Sequence, residues 1–425
     1  MAVSSLNRRQ VLARIGAMLS TAGLRAPALA QSAPRVVVIG GGFAGATAAR
    51  AIKAADSRLA VSLIESNRTF TACPFSNLVI GGLRQLTTQQ FGYDHLAASG
   101  VEVVFATASG IDAAARRVAL DTGGMLNYDR LVVAPGIDIR WDGLAGYSEA
   151  AAETMPHAWK AGAQTLLLRR QLEALEDGGL VVMSVPANPF RCPPGPYERA
   201  SLIANYLKTR KPKSKILILD AKDTFSKQRL FQDAWKEFYP EHLEWVALSK
   251  GGKVTSVDAG AKLFVTEFAE HKAAVANVIP PQQAGRAAAL AGVADQSGWC
   301  PIDPVTFESK RVQNVHVVGD ATIAGGMPKS AFSANAQAKV CATAVVDLLA
   351  GRAPRQPKLI NTCYSLVAPG YGISVAGVYE PVNGVLTDVP GAGGVSPAEA
   401  PRAQRAQEAL FAEGWFNTIT NEVFG

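Results

Sequence analysis

Short apolar runs bounded by glycine, proline or charge recur along the chain. They include "RVVVI" from Arg35, "LAVSLIE" from Leu59, "RLVV" from Arg130, "LVVMSV" from Leu180, "KILILD" from Lys215 and "VHVV" from Val315. Runs this short, rich in valine and isoleucine and without a helical stripe, read as strands buried on both faces. Helical stretches separate them. An alanine-rich segment follows the first run, and Tyr197 to Thr209 fills the gap between Val185 and Lys215. Strand, helix and strand in alternation predict an α/β protein built on parallel sheets, with two Rossmann-like units.

The turns after the strands say what each unit holds. The first run enters Gly40-x-Gly42-x-x-Gly45 and then the alanine-rich helix. Gly40 permits the tight turn, Gly42 lets a pyrophosphate approach the backbone, and Gly45 lets helix and strand pack closely. The helix N-terminus offers free N–H groups to phosphate. The next strand ends on Glu65, placed to take ribose hydroxyls. Together these predict a dinucleotide site. Two later strand ends, "RLVVAPG" and "VHVVGDA", bring small-residue turns and the pair Gly319–Asp320. An early glycine loop with a late Gly-Asp is the pattern of FAD proteins with two dinucleotide-type domains, Asp320 accepting hydrogen bonds from the ribityl chain. The plainer reading of Asp320 is a helix N-cap.

The second unit differs. Its first strand leads into "PANPFRCPPGP", five prolines and a cysteine between Pro186 and Pro196 with a single glycine. Proline has no N–H to give a phosphate and holds the preceding residue extended. A stiff loop that fixes Cys192 is expected there, with NAD(P)H binding lost. Asp220, closing the next strand, stands where a ribose acid would.

The N-terminus changes the picture of charge. Arg8 and Arg9 precede a short apolar stretch and "APALA", the layout of a twin-arginine export signal cleaved after Ala30. The apolar stretch is too short for a membrane span. Residues 1–30 carry four arginines and no acids, so without them the formal charge of +7 falls to +3. The basic balance is thus no argument for nucleic acid. The run Lys208 to Lys215 reads as a solvated loop. Five cysteines (Cys73, Cys192, Cys300, Cys341 and Cys363) contain no C-x-x-C and no C-x-x-C-H, and the histidines show no ligand spacing. No metal site and no haem on this chain are expected.

Several longer stretches are specific: "RCPPGPYERAS", "NVIPPQQAG", "GWCPID", "NTCYSLVAPGYGISVAGVY" and the closing "EGWFNTITNEVFG". From about Pro34 to its end the chain resembles the flavoprotein subunit of flavocytochrome c sulfide dehydrogenase. That resemblance implies two Rossmann-like domains of the glutathione-reductase type and a mixed C-terminal domain facing a c-type cytochrome subunit. It also implies oxidation of sulfide to zero-valent sulfur or polysulfide in the periplasm. The haem c would belong to the partner chain of a heterodimer. Carried over by motif, Cys192 and Cys363 match the family's redox-active disulfide. Cys73 in "TACPFSN" matches the thioether link to FAD, Glu198 an active-site carboxylate, and Trp415 an aromatic near the flavin.

The residues by themselves leave plainer readings beside these. A Cys192–Cys363 bond could be an export-compartment staple worth about 5 kcal/mol of chain entropy. Glu198 falls in the first turn of its helix, where it complements the dipole. Cys300 and Cys341 read as core residues, and Trp415 as packing. The expected organisation is an FAD domain over 34–144 and 285–352, a second Rossmann-like domain over 145–284, and a C-terminal domain over 353–425 with residues 383–402 as loop. A sulfide:quinone oxidoreductase and a non-enzymatic flavin thiol–disulfide protein supporting a sulfur-oxidising complex are the alternative functions.

Overall fold

The apolar runs assemble into two parallel sheets in a computed structural model that describes residues 33–425; the export signal expected over residues 1–30 lies outside the described residues. In the first sheet the order across is Val315–Val317, Arg130–Val133, Arg35–Ile39, Ala60–Glu65 and Glu102–Phe105. Neighbouring strands all run parallel, with Val36 opposite Arg130 on one side and Val61 on the other. Val36, Val38, Leu131 and Val132 are fully buried. Burial on both faces is why these strands are continuous rather than alternating in hydrophobicity. The helices Phe43–Ala55 and Ala331–Leu349 pack against each other, and small residues such as Ala46, Ala49, Ala338 and Ala342 make up much of what they bury. Two glycines are geometric necessities. A Cβ on Gly45 would lie 1.8 Å from the Gly40 carbonyl oxygen, and Gly40 itself has a φ of +98°.

The second sheet runs Leu243–Val246, Lys215–Asp220, Leu180–Val185 and Val275–Val278, again parallel. The connection between its two inner strands is the proline loop and the helix Gly195–Arg210. That helix starts within the proline run because proline is tolerated in a first turn, where its missing N–H has no intrahelical partner. The cationic residues after it are largely exposed, as expected of a solvated loop.

A long antiparallel hairpin, Leu359–Ala368 with Tyr371–Val382, forms the third layer. Residues 383–402 are less loop-like than their composition suggests. Val385–Asp388 extends the sheet beside Tyr371–Val382, and Gly394–Val395 pairs with Val375 and Ala376. Only Leu386 of the first of these short strands is buried, so its sequence carries almost no periodic signal. The closing helix Arg402–Phe424 turns Phe416, Ile419, Val423 and Phe424 inward. Phe424 stacks on Phe70 and Phe91, with ring centroids 5.1 and 5.3 Å away. Arg50 donates to the carbonyls of Glu422 and Gly425 at 2.7 Å each, satisfying acceptors that a helix C-terminus leaves open. The closing helix is thereby fastened to the helix Phe43–Ala55.

Candidate active site

Where the first sheet's strand ends meet the proline loop and the hairpin, the fold leaves a cavity of about 220 Å³. Gly42, Gly319 and Asp320 form one wall, and Cys73 and Trp415 border it. Cys192, Glu198 and Cys363 come in from the second unit and the hairpin. Eight of the residues singled out in the sequence therefore share one space, although they come from segments far apart in the chain. Gly40, Gly45 and Glu65 stand behind it. The acid at Glu65 accepts from the N–H of Gly41 at 2.7 Å and of Asn67 at 2.8 Å, so it clamps the glycine turn.

Cys192 has a φ of 57°, a left-handed conformation rare for a residue with a side chain. Its N–H donates to the Lys329 carbonyl and its carbonyl accepts from Gly195, both at 2.8 Å, while prolines on the C-terminal side restrict the alternatives. Burial pushes its thiol up and the neighbouring Cys363 pushes it further, whereas Arg191 and Lys227 pull it back. Cys363 lies on the hairpin, opposite Val375, with Asn361 Nδ2 3.4 Å from its sulfur. All five cysteines are thiols in this structure, and Cys300 and Cys341 are buried core residues. Cys73 is half-buried, its sulfur 3.8 Å from the Trp159 carbonyl.

Glu198 does occupy the first turn of its helix, but its carboxylate is also held at both oxygens. One accepts from the Leu366 N–H and the other from Asn77 Nδ2, each at 2.8 Å. Burial raises its affinity for a proton, and these two bonds oppose the rise. Asn77 is fixed in turn by Arg199, which is 2% exposed and makes three further hydrogen bonds. Its guanidinium donates to Asn77 Oδ1, Asn277 Oδ1 and the carbonyls of His157 and Ala158. Arg199, Asn77, Arg191 and Lys227 carry no sequence signal of this role. An arginine beside a glutamate reads as surface charge until the fold buries it.

The first wall fits a flavin dinucleotide. Asp320 Oδ1 is buried without a hydrogen-bond partner, and Arg191 lies 3.8 Å from the other oxygen. The helix from Phe43 begins at Gly42 with no side-chain cap, leaving its first N–H groups for a ligand. Asp320 is not the cap of the following helix. Ser330 fills that role, accepting from Ser333 N at 3.0 Å. A Cβ on Gly319 would come 2.9 Å from Ala44 Cβ, so glycine keeps the wall clear. Trp415 is both packed and presented to the cavity, stacked on Phe332 at 6.1 Å.

The corresponding crevice of the second sheet is closed by the chain's own side chains. Asp220 is fully buried and accepts from Tyr197 Oη at 2.6 Å, Lys222 Nζ at 2.6 Å and Trp245 Nε1 at 3.0 Å. Phe225 stacks on Tyr197 with centroids 3.6 Å apart. The Asp220 carboxylate is thus engaged by its own domain and is not free to take a ribose. Among the described residues there is no cluster of metal-ligating groups and no helix long and apolar enough to cross a membrane.

Comparison with known proteins agrees with this geometry. Residues 165–280 match the family described as sulfide dehydrogenase [flavocytochrome c] flavoprotein chain, central. Residues 355–424 match flavocytochrome c sulphide dehydrogenase, flavin-binding, and 34–167 match pyridine nucleotide-disulphide oxidoreductase. A 45-residue stretch, 11% of this chain, is 49% identical to the sulfide dehydrogenase [flavocytochrome c] flavoprotein chain of Chlorobaculum thiosulfatiphilum over 94% of that relative. The chain belongs to the family of flavocytochrome c sulfide dehydrogenase flavoproteins. It is therefore a flavoprotein of oxidoreductase type, and FAD is the dinucleotide for which the wall described above is shaped. The chain is also 24% identical over 309 residues to mitochondrial sulfide:quinone oxidoreductase of Mus musculus. That match takes in 68% of this chain but spans only 65% of the mouse protein's length. The solved sulfide:quinone oxidoreductase of Aquifex aeolicus superposes with a TM-score of 0.72 at 19% identity, over 92% of each chain. The putidaredoxin reductase–putidaredoxin complex gives 0.64 at 16%, over 89% of this chain and 93% of that one. These two likenesses establish the two-domain disulfide-reductase type of fold.

Proposed function

We propose that this flavoprotein is the FAD-bearing subunit of an exported sulfide dehydrogenase. It takes sulfide to zero-valent sulfur or polysulfide through Cys192 and Cys363 and delivers the electrons to haem c on a cytochrome partner. One observation carries the reading: the two cysteines, one on a proline-stiffened loop and one on the hairpin, converge in the cavity beside the FAD wall. Export to the periplasm rests on Arg8 and Arg9 of the N-terminal segment. Cys73, at the rim of the FAD wall, is the point of covalent attachment.

In its disulfide form the pair is attacked by HS⁻ at one sulfur. A new S–S bond makes that residue a persulfide, the Cys192–Cys363 bond breaks, and the other cysteine leaves as a thiolate. A second HS⁻ removes the outer sulfur as HSS⁻, and the cysteine it leaves keeps the proton as a thiol. FAD, when bound, supplies the two-electron acceptor that restores the disulfide. The proton released on that return goes to Glu198, whose carboxyl burial has tuned towards holding one. The closed second crevice, with Asp220 fully engaged, supports sulfide rather than NAD(P)H as the electron donor.

Anaerobic stopped-flow absorbance tests the relay. Sulfide should bleach the flavin of the wild type, and neither Cys192→Ser nor Cys363→Ser should respond, while dithionite reduces all three. Near-normal bleaching in a folded Cys363→Ser variant would sink the relay. The likeness to sulfide:quinone oxidoreductases favours a second reading, with quinone as acceptor. Sulfide-driven reduction of soluble cytochrome c, compared with a short-chain ubiquinone, separates the two, and steady-state turnover with neither leaves the non-enzymatic reading.

A further inference from the structure

We propose that Lys227 is a positioning residue of the sulfur site, a fixed buried positive charge that stabilises the anionic state of the Cys192–Cys363 pair. This rests on the reading of that pair as the working redox couple. Lys227 heads the helix Gln228–Phe238 in a left-handed conformation, φ 62°, and is 7% exposed. Its ammonium points at the hairpin. There it donates to Ser365 Oγ at 2.8 Å, the Cys363 carbonyl at 2.9 Å and the Ile373 carbonyl at 3.4 Å.

Every one of those acceptors is neutral. A glutamine could satisfy them without the cost of taking a full charge out of water, so a lysine is the wrong choice for a mere clip. Its charge needs an anion nearby. The groups that face it are, in order of influence, Cys363 on the hairpin, Glu198 and Cys192 at the proline-loop helix, and Glu408 of the closing helix. Glu408 is already paired with Arg405 at 3.2 Å, whereas Glu198 accepts only from the neutral Asn77 amide and Leu366 N–H and so shares the field of Lys227 with the sulfurs. The other cations near the sulfurs are committed too. Arg199 is spent on its four acceptors, and Arg191 on the Trp159 carbonyl and Asp320. Lys227, which meets only neutral acceptors, adds its charge to that of Arg191 at Cys192 and stands beside Cys363. When the disulfide opens, negative charge appears in a poorly hydrated place, and a cation already in position stabilises it without reorganising. Burial lowers the ammonium to about 8, so it is still largely charged at neutral pH.

The test reads the thiols themselves. Flavin-loaded protein is reduced, freed of reductant and alkylated with iodoacetamide from pH 6 to 10, and labelling at Cys192 and Cys363 is followed by peptide mass. Compared with wild type, Lys227→Gln and Lys227→Met should move the labelling midpoint of the pair up by about one to two pH units. Lys227→Arg should restore most of the shift. The glutamine keeps the clip to the hairpin, so a folded Lys227→Gln protein with an unmoved midpoint would overturn the proposal. Should neither neutral variant fold, the reciprocal linkage serves in the wild type. The ¹⁵N-lysine NMR titration of Lys227 should move to lower pH when the thiols are blocked as methyl disulfides, and no movement would overturn it. Neither measurement uses sulfide. A wild type that ignores sulfide but shows the labelling shift would refute the proposed function and leave Lys227 its role.

Discussion

Replacing Asp220 by alanine tests whether the second nucleotide crevice has become structure. Its carboxylate is fully buried and faces the Lys222 ammonium at 2.6 Å, a lysine side chain only 10% exposed. Breaking a buried ion pair from one side costs about 3–5 kcal/mol, because the remaining charge is stranded. The Tyr197 hydroxyl and Trp245 indole would lose their acceptor as well, at roughly 1–3 kcal/mol each. Lys222 keeps two partial substitutes, the Pro186 carbonyl at 3.0 Å and the face of Phe190 at 5.0 Å. With Lys222 partly satisfied, the low end of that sum applies, a net loss of about 5 kcal/mol for Asp220→Ala, and about half of that for Asp220→Asn, which keeps an acceptor. Urea denaturation, followed by tryptophan fluorescence and by flavin absorbance, measures both and shows whether the two signals unfold together. NADH should fail to bleach the flavin in wild type and in both variants, whereas sulfide should still bleach folded Asp220→Asn. The reasoning fails if Asp220→Ala is as stable as wild type and NADH-dependent flavin reduction, present in wild type, disappears.

Two further outcomes are expected. On a denaturing gel of acid-treated protein the band should fluoresce under ultraviolet light and Cys73→Ser should not, and complete release of flavin from wild type would exclude the thioether. Burial pushes both His157 and His316 down to about 4, so between pH 6.5 and about 4 the unfolded chain takes protons that the folded chain refuses. The stability each neutral ring confers is complete above pH 6.5 and is lost as pH falls towards 4, about 3 kcal/mol per histidine. Urea midpoints at pH 7 and 4.5 should show it, with His316→Asn flattening the slope, and an unchanged midpoint would contradict the burial of these rings as neutral groups.

The features that local chemistry controls were legible in the linear chain. A run such as "KILILD" can be little but a buried strand, and Lys215–Asp220 is that strand to the residue. Gly40 and Gly45 are dictated by the turn they build, since a Cβ at Gly45 would overlap a carbonyl of the same loop. Five prolines forbid a phosphate cradle whatever surrounds them, because the missing N–H groups are a covalent fact. The specific phrases around Cys192 and Cys363 pointed to a family, and with it to a shared site.

Tertiary structure decided what those residues face. Asp220 looks the same in the sequence whether it meets a ribose or three donors of its own domain. Only the approach of Tyr197, Lys222 and Trp245 turns it into a core acceptor. Arg199 and Lys227 read as surface charge because long cations usually are. The packing of the hairpin and the 77–81 segment against the proline-loop helix removes their water and makes one a scaffold and the other a local field. The strand Val385–Asp388 forms because a partner strand offers it a ladder, not because its own residues ask for one. Burial, charge environment and pairing are properties of contacts between distant segments. A linear pattern fixes the hydrogen bonds and sterics of near neighbours, and the dielectric around a carboxylate or an ammonium is set by whatever the rest of the chain brings to it.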